Sequence, residues 1–148
     1  MAHSPAMSTR SEHDRIAVLD FGGQYAHLIA TKIRRMHVLA EIRQPEDPPE
    51  SFRPYRGIIL SGSPALASQG QDADWAPRLL DLDLPVLGFC FGHQEIAKHY
   101  GARIEHCQRE YGPARLRTTA PSPILDGVPP ESTVWMSHGD TVVTLGPG

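Results

Sequence analysis

The chain has 148 residues, with 14 Lys and Arg against 17 Asp and Glu for a formal charge of −3, and is 40% hydrophobic and 21% charged. A chain of this size buries roughly 70% of the surface its unfolded form exposes, enough for one core without disulfides or metals. No basic run exceeds Arg34-Arg35 and no apolar stretch exceeds the length of Leu84 to Cys90, which excludes both a general electrostatic hold on nucleic acid and a membrane helix of roughly 20 residues.

Met1 to Asp14 is rich in Ser, His, Pro and Glu and lacks the apolar middle of a signal peptide, so it is expected to be a disordered tail. The folded part is expected from Arg15. Ile16 to Leu19 is a short apolar run closed by Asp20-Phe21-Gly22-Gly23, the pattern of a buried strand ending in a tight turn. Ala26, Ile29, Ala30 and Ile33 then recur at helical spacing, with Lys32, Arg34 and Arg35 near the C-terminal end, where cations suit the helix dipole. Val38 to Ile42 reads as a second strand. Gln44 to Pro54 is too rich in proline for a helix or a central strand.

Gly57 to Leu60 predicts a third buried strand running into the turn formers Ser61-Gly62-Ser63-Pro64. A short helix is expected over Asp72 to Leu80, with Trp75, Leu79 and Leu80 available to a core. Leu84 to Phe89 predicts a fourth strand with Pro85 at its start, and Gly92 to Tyr100 a helix stopped by Gly101. This order predicts an α/β fold, a doubly wound, mostly parallel sheet with helices on both faces. The second half differs. Ala102 to Ile104, Ala114 to Thr118, Thr133 to Met136 and Thr141 to Leu145 read as short, partly antiparallel extra strands separated by Gly/Pro turns. Thr144 to Gly148 is a turn signal where such a domain would normally close with another helix, so the C-terminal part of the domain is expected to be missing.

Two cysteines, Cys90 and Cys107, with no CxxC spacing make neither a disulfide framework nor a metal set, so no metal site is expected and a reduced, cytoplasmic setting fits best. Cys90 stands out by position. It lies where a buried strand turns into a helix, with Gly88 two residues before and Gly92 two after, the layout of a nucleophile elbow. Side chains at both glycines would collide with backbone in so tight a turn. Helix onset after Cys90 favours thiolate, and the Phe91 N–H would face the same space as an oxyanion donor. A buried, inert cysteine is the competing reading, and spacing alone leaves both open. Of eight histidines, His3, His13, His27 and His37 read as solvated, and His93, His99 and His106 as surface or helix-packing imidazoles. His138 sits in a loop after a strand and could line a site. Gly62 and Gly22-Gly23 follow strands at the same sheet edge, where open α/β sheets bind ligands.

The run Gly88-Phe89-Cys90-Phe91-Gly92-His93-Gln94 resembles the G-x-C-x-G-x-Q nucleophile motif of class I, triad-type glutamine amidotransferases. Three further segments, Leu19 to Tyr25, Arg109-Glu110-Tyr111-Gly112 and Val134 to Asp140, narrow the resemblance to the amidotransferase domains of the GMP synthase family. It covers Arg15 to Gly148 as a partial domain of flavodoxin-like type. The resemblance implies that Cys90 attacks the side-chain amide of glutamine, that backbone N–H groups of Ser63 and Phe91 hold the oxyanion, and that Gly62, Gln94, Ser137, His138 and Gly139 help bind glutamine. Ser63 departs from the second glycine of the family's S-G-G-P loop.

It further implies that the ammonia passes to an ATP-pyrophosphatase synthetase domain or subunit, where ATP and Mg activate xanthosine monophosphate for conversion to GMP; this chain itself is expected to hold no cofactor. The family's catalytic His and Glu belong to an H-P-E-type segment after the S-H-G-D loop, and none follows Asp140 here. The catalytic base and the synthetase are therefore expected to lie outside these residues. Two alternatives stand beside this reading: an amidotransferase for another acceptor, of the anthranilate or carbamoyl phosphate type, and an inactive glutamine-binding or docking fragment.

Overall fold

The structure, a computed structural model, describes residues 14–63 and 77–147, with the backbone alone at 107–109. The expected tail up to residue 13, and residues 72–76 of the expected helix with Trp75, lie outside the described residues. Among the described residues the strands and α-helices are, in order, β1 (Arg15–Leu19), α1 (Tyr25–Arg35), β2 (Leu39–Arg43), β3 (Gly57–Leu60), β4 (Val86–Gly88), α2 (Phe91–His99), β5 (Arg103–Arg117) and β6 (Glu131–Thr144). The first four strands form one all-parallel sheet in the order β2-β1-β3-β4. Among the described residues no helix is long and apolar enough to cross a membrane.

Alternation along the strands builds two cores. On one face Ala17, Leu19, Ile58 and Leu60 pack with Phe52, Tyr55, Leu79, Leu80 and Phe91. On the other, Ile16, Val18 and Ile59 meet Ala26, Ala30 and Ile33 of α1 and Ala40 of β2. α1 and α2 therefore cover opposite faces, as a doubly wound sheet requires. Each large apolar side chain fully buried contributes about 1.5–3 kcal/mol, and both faces of β1 and β3 are used. Chain order reverses between β1 and β3, so the ligand crevice of such a sheet opens at their carboxyl ends.

The helices stop for local reasons. Gly101 adopts φ +83°; its N–H reaches the Lys98 carbonyl at 3.0 Å and that of Ala102 the Ala97 carbonyl at 2.9 Å, a Schellman end. α1 ends the same way with His37 at φ 61°, which shows that a residue with a Cβ can fill this position when tertiary packing holds it.

Three expectations are corrected. The Pro-rich connection is not free of helix: Pro49–Phe52 forms a 3-10 turn with Phe52 fully buried, since a proline at the first helical position loses no hydrogen bond. The expected helix shows, in its described part, a 3-10 turn over Pro77–Asp81. The extra strands of the second half are antiparallel, as expected, but the four short segments join pairwise into two strands of 15 and 14 residues. Gly112 and Pro113 lie inside β5, Gly112 at φ +127°. A two-stranded ribbon tolerates both, because each strand has an open edge.

Arg43, at the carboxyl end of β2, ties the Pro-rich connection to the sheet. Its guanidinium donates to Asp47 at 2.7 Å, Ser51 Oγ at 2.8 Å and the Tyr55 hydroxyl at 3.0 Å and lies 4.6 Å from the Phe52 ring centroid. The Tyr55 hydroxyl in turn donates to Glu41. Burial, then the bond to Glu41, raises the Tyr55 pKa above its ordinary value, with Arg43 opposing. A raised folded-state pKa makes the neutral phenol the stabilising form, so this contribution is present below about pH 10 and is lost as pH rises above it. Urea denaturation should show an alkaline loss of stability that is blunted in Tyr55→Phe. That variant should also be less stable at neutral pH by about 1–3 kcal/mol, the cost of leaving Glu41 and Arg43 short of a partner.

Candidate active site

The turn from β4 into α2 is an elbow. Cys90 has φ 49° and ψ −112°; the described non-glycine residues with positive φ are His37, Asp83 and Cys90. Such a conformation costs on the order of 1–3 kcal/mol and persists only where its surroundings enforce it. Two close approaches do so. A Cβ added to Gly92 would stand 2.5 Å from the Leu60 carbonyl oxygen, and one added to Gly88 would stand 2.5 Å from the Gly92 carbonyl carbon. Both glycines are thus required, for the reason the spacing predicts.

Hydrogen bonds lock the same corner. Phe89 N–H donates to Leu60 O at 2.9 Å, and Gly92 N–H to Phe89 O at 2.9 Å and Ser61 O at 3.2 Å. Phe91 is buried and meets Phe21 edge-on at 5.0 Å. Its N–H opens α2 and has no partner within the helix. Cys90, a free thiol, is exposed.

The loop after β3 faces the thiol. A Cβ on Gly62 would lie 3.3 Å from Cys90 Cβ, so the glycine keeps the loop close without contact. Ser61 beneath it is fully buried; its hydroxyl accepts Phe21 N–H at 3.3 Å and donates to Gly62 O at 3.2 Å. This ties the turns after β1 and β3 together. Ser63 is half-buried and is not among the positive-φ residues. The backbone there accepts a Cβ, and a serine can stand where the family has glycine.

β6 supplies the opposite wall. The Ser137 carbonyl lies 3.9 Å from Cys90 Sγ, within reach of a weak sulfur donor. Gln94, buried one turn into α2, donates from Nε2 to the Asp140 carbonyl at 2.7 Å. His138 Nε2 lies 3.4 Å from Glu110 Oε2, while its buried Nδ1 has no partner among the described residues. Gly139 sits where the ladder between β5 and β6 shifts register.

Cys90, Gly62, Phe91 and Ser137 therefore converge, with Ser63 beside them and Gln94 holding β6 to α2. His138 pairs with Glu110. Ser61, His106 and Asp140 escape sequence reasoning. Ser61 hides as a routine turn former, His106 reads as a surface imidazole, and Asp140 is visible only as the last residue of a matched segment. A separate cleft of about 300 Å3 along the hairpin is lined by Glu110 to Ala114 and Met136 and includes none of the expected site residues.

The family described as Glutamine amidotransferase class-I matches residues 17–147. This chain belongs to that family. A protein of Leptospira interrogans named a probable GMP synthase (glutamine-hydrolysing) is 45% identical over 139 residues, 92% of this chain and 23% of that protein. A GMP synthase (glutamine-hydrolysing) of Pyrobaculum aerophilum is 42% identical over 137 residues, 91% of this chain and 27% of its own length. The chain thus spans about a quarter of the length of the curated relatives it matches. A crystal structure from Thermoplasma acidophilum, of a protein provisionally named as one of the subunits of a GMP synthase, superposes with a TM-score of 0.74 at 27% identity, covering 93% of this chain and 71% of that one.

The two elbow contacts separate folding from access. Gly92→Ala should lower stability by about 1–3 kcal/mol or more, because its Cβ meets β3 backbone that cannot swing aside. Gly62→Ala should stay folded with a near-parental melting temperature, yet slow alkylation of Cys90 by a small haloacetamide. A melting temperature unchanged in Gly92→Ala would refute the close-approach account.

Proposed function

We propose that the chain is the glutamine-hydrolysing part of a GMP synthase and that Cys90 is its nucleophile. The observation that carries this reading is the enforced elbow. An exposed thiol at positive φ, at the start of α2, faces a glycine loop on one side and a strand carbonyl on the other. Membership of the amidotransferase family supports glutamine as substrate, and the relatives named GMP synthases support the acceptor.

In this reading glutamine lies between α2 and β6, held by Gly62, Gln94, Ser137, His138 and Gly139. The Cys90 Sγ thiolate attacks the side-chain carbonyl carbon, forming a C–S bond and an oxyanion between the N–H groups of Phe91 and Ser63. Collapse breaks the C–N bond; the nitrogen takes the proton that the Cys90 thiol gave up, returned through solvent, and leaves as ammonia. Water then adds to the γ-glutamyl thioester, releasing glutamate and restoring the thiol. The backbone donors at Phe91 and Ser63 are set by the fold and need no rearrangement as charge develops.

Ammonia would be consumed on a synthetase domain or subunit, where ATP and Mg activate xanthosine monophosphate. Among the described residues no three His, Cys, Asp or Glu side chains are grouped to hold a metal ion. The setting proposed is the cytoplasm, where a free nucleophilic thiol stays reduced. Acceptors of the anthranilate or carbamoyl phosphate type are not favoured, since the relatives from Leptospira and Pyrobaculum carry the GMP synthase name.

The residues after Asp140 contain no histidine, so Cys90 acts in these 148 residues without the family's His-Pro-Glu base. Ammonia release from glutamine by the chain alone should therefore fall on the order of a thousandfold or more below that of a complete triad. A chloroketone analogue of glutamine, which needs only the thiolate, should alkylate Cys90 saturably and in preference to Cys107. Cys90→Ala should retain the fold and lose that label. Equal labelling of the two cysteines, or none at Cys90, would overturn the assignment. With the synthetase partner, ATP, Mg and xanthosine monophosphate present, the nitrogen should appear in GMP, and hydrolysis with no GMP would refute the acceptor.

A further inference from the structure

Ser61 is tied into the fold through its backbone and its side chain alike. Its N–H donates to the Leu19 carbonyl at 3.3 Å and its carbonyl accepts the Gly92 N–H at 3.2 Å, which joins the residue to β1 and to the first turn of α2. Its fully buried hydroxyl accepts the Phe21 N–H at 3.3 Å and donates to the Gly62 carbonyl at 3.2 Å. That last bond also aims the residue that follows. The Gly62 carbonyl and the Ser63 N–H belong to one peptide unit, which is trans, as is every described peptide. In a trans peptide these two groups point in opposite directions. With the carbonyl turned in toward the buried hydroxyl, the Ser63 N–H is turned out, from a loop whose Gly62 faces Cys90.

The reverse orientation would oppose catalysis. If the peptide turned over, a carbonyl oxygen would face the space where the side-chain oxygen of glutamine gains negative charge, and a donor would be exchanged for a repelling dipole. Two features resist that change. It would leave the Ser61 hydroxyl buried without this acceptor, and it would swing Ser63, which is not among the positive-φ residues, toward positive φ, where glycine sits freely and a residue with a Cβ does not. Serine in place of the family's glycine at 63 thus works in the same direction as the Ser61 hydroxyl. Ser63 has a further interaction of its own, so the Ser61 hydroxyl is one hold on this loop and not its only one.

We propose that Ser61 is a positioning residue for glutamine hydrolysis: its hydroxyl keeps the Gly62–Ser63 peptide turned so that the Ser63 N–H meets the oxyanion formed when Cys90 attacks. This rests on Cys90 being the glutaminase nucleophile. Ser61, fully buried, does not itself touch the substrate. An oxyanion donor acts on the transition state far more than on bound glutamine, so loss of the hydroxyl should slow the chemical step and spare binding.

The test uses an analogue of glutamine whose side-chain amide is replaced by a nitrile. Cys90 Sγ adds to the nitrile carbon, one carbon–nitrogen π bond opens, and the nitrogen takes the proton that the thiol gave up, returned through solvent, to give a thioimidate. Negative charge builds on that nitrogen where the oxyanion would stand. Mass spectrometry follows adduct formation at Cys90 against analogue concentration. Iodoacetamide, which loses iodide from a methylene carbon and calls on no oxyanion donor, reports the bare thiol. Ser61→Ala should lower the rate of thioimidate formation at saturation about tenfold, less than the roughly hundredfold or more that follows deletion of an oxyanion donor, because the donor is mis-aimed and not removed. The half-saturating concentration and the iodoacetamide rate should stay within about twofold of the parent. Ser61→Cys, which fills the same space with a much weaker donor, should shift the same way and takes over the test if Ser61→Ala does not fold.

An unchanged rate at saturation in the folded variant would overturn the proposal. So would a fall seen equally with iodoacetamide that tracks a lower melting temperature, the signature of a merely structural contact. Labelling of the parent by the chloroketone with no thioimidate from the nitrile would mean that no donor is aimed at Cys90, and would overturn it too. If the chloroketone itself fails to label Cys90 in the parent chain, the glutaminase reading fails first and this one with it.

Discussion

Everything at the site depends on how closely the first turn of α2 approaches the end of β3. Gly92 stands against the Leu60 carbonyl and Gly88 against the Gly92 backbone, at separations no other residue permits. The approach bends the chain at Cys90, turns its thiol outward and points the start of α2 at the same space. Move the helix by the width of a methyl group and the elbow opens, the Gly62 loop loses its neighbour, and the strand carbonyl of Ser137 no longer faces sulfur.

The sheet exists to hold that contact. β3 is buried on both faces, Ile58 and Leu60 on one side and Ile59 on the other, so its carboxyl end cannot yield to the helix pressed on it. The turn after β1 is joined to the turn after β3 through the buried Ser61 hydroxyl. Arg43 keeps the long connection between β2 and β3 flat against the sheet through three hydrogen bonds and a ring contact. The hairpin is a different kind of part. It packs on α2 at one end, while Tyr111 and Trp135 farther along are 68% and 76% exposed. The site therefore has one wall built from the parallel sheet and one built from the hairpin, joined to α2 through Gln94 and the Asp140 carbonyl.

This division explains which features the sequence discloses. The parallel strands, both α-helices and the elbow are local patterns: continuous apolar runs, helical periodicity, and two glycines flanking a cysteine. Each of these is enforced by sterics within a few residues, so reading along the chain finds them. The hairpin is legible only in pieces, because Gly112 and Pro113 look like breaks and a ribbon with open edges absorbs them without breaking. Ser61, His106 and Asp140 are not legible as partners at all. Their roles arise from contacts between residues 34 or 40 positions apart, which no periodicity encodes. The same holds for the Ser63 position, whose departure from glycine looks disruptive until its backbone conformation is seen.

The positive φ at Cys90 has a further meaning for the stability of the molecule. A glycine would sit in that conformation without penalty, so the native residue makes the fold less stable than its simplest replacement would. The strained bend at Cys90 is a cost that folding does not require, and a chain released from it by glycine would be a firmer protein without the thiol.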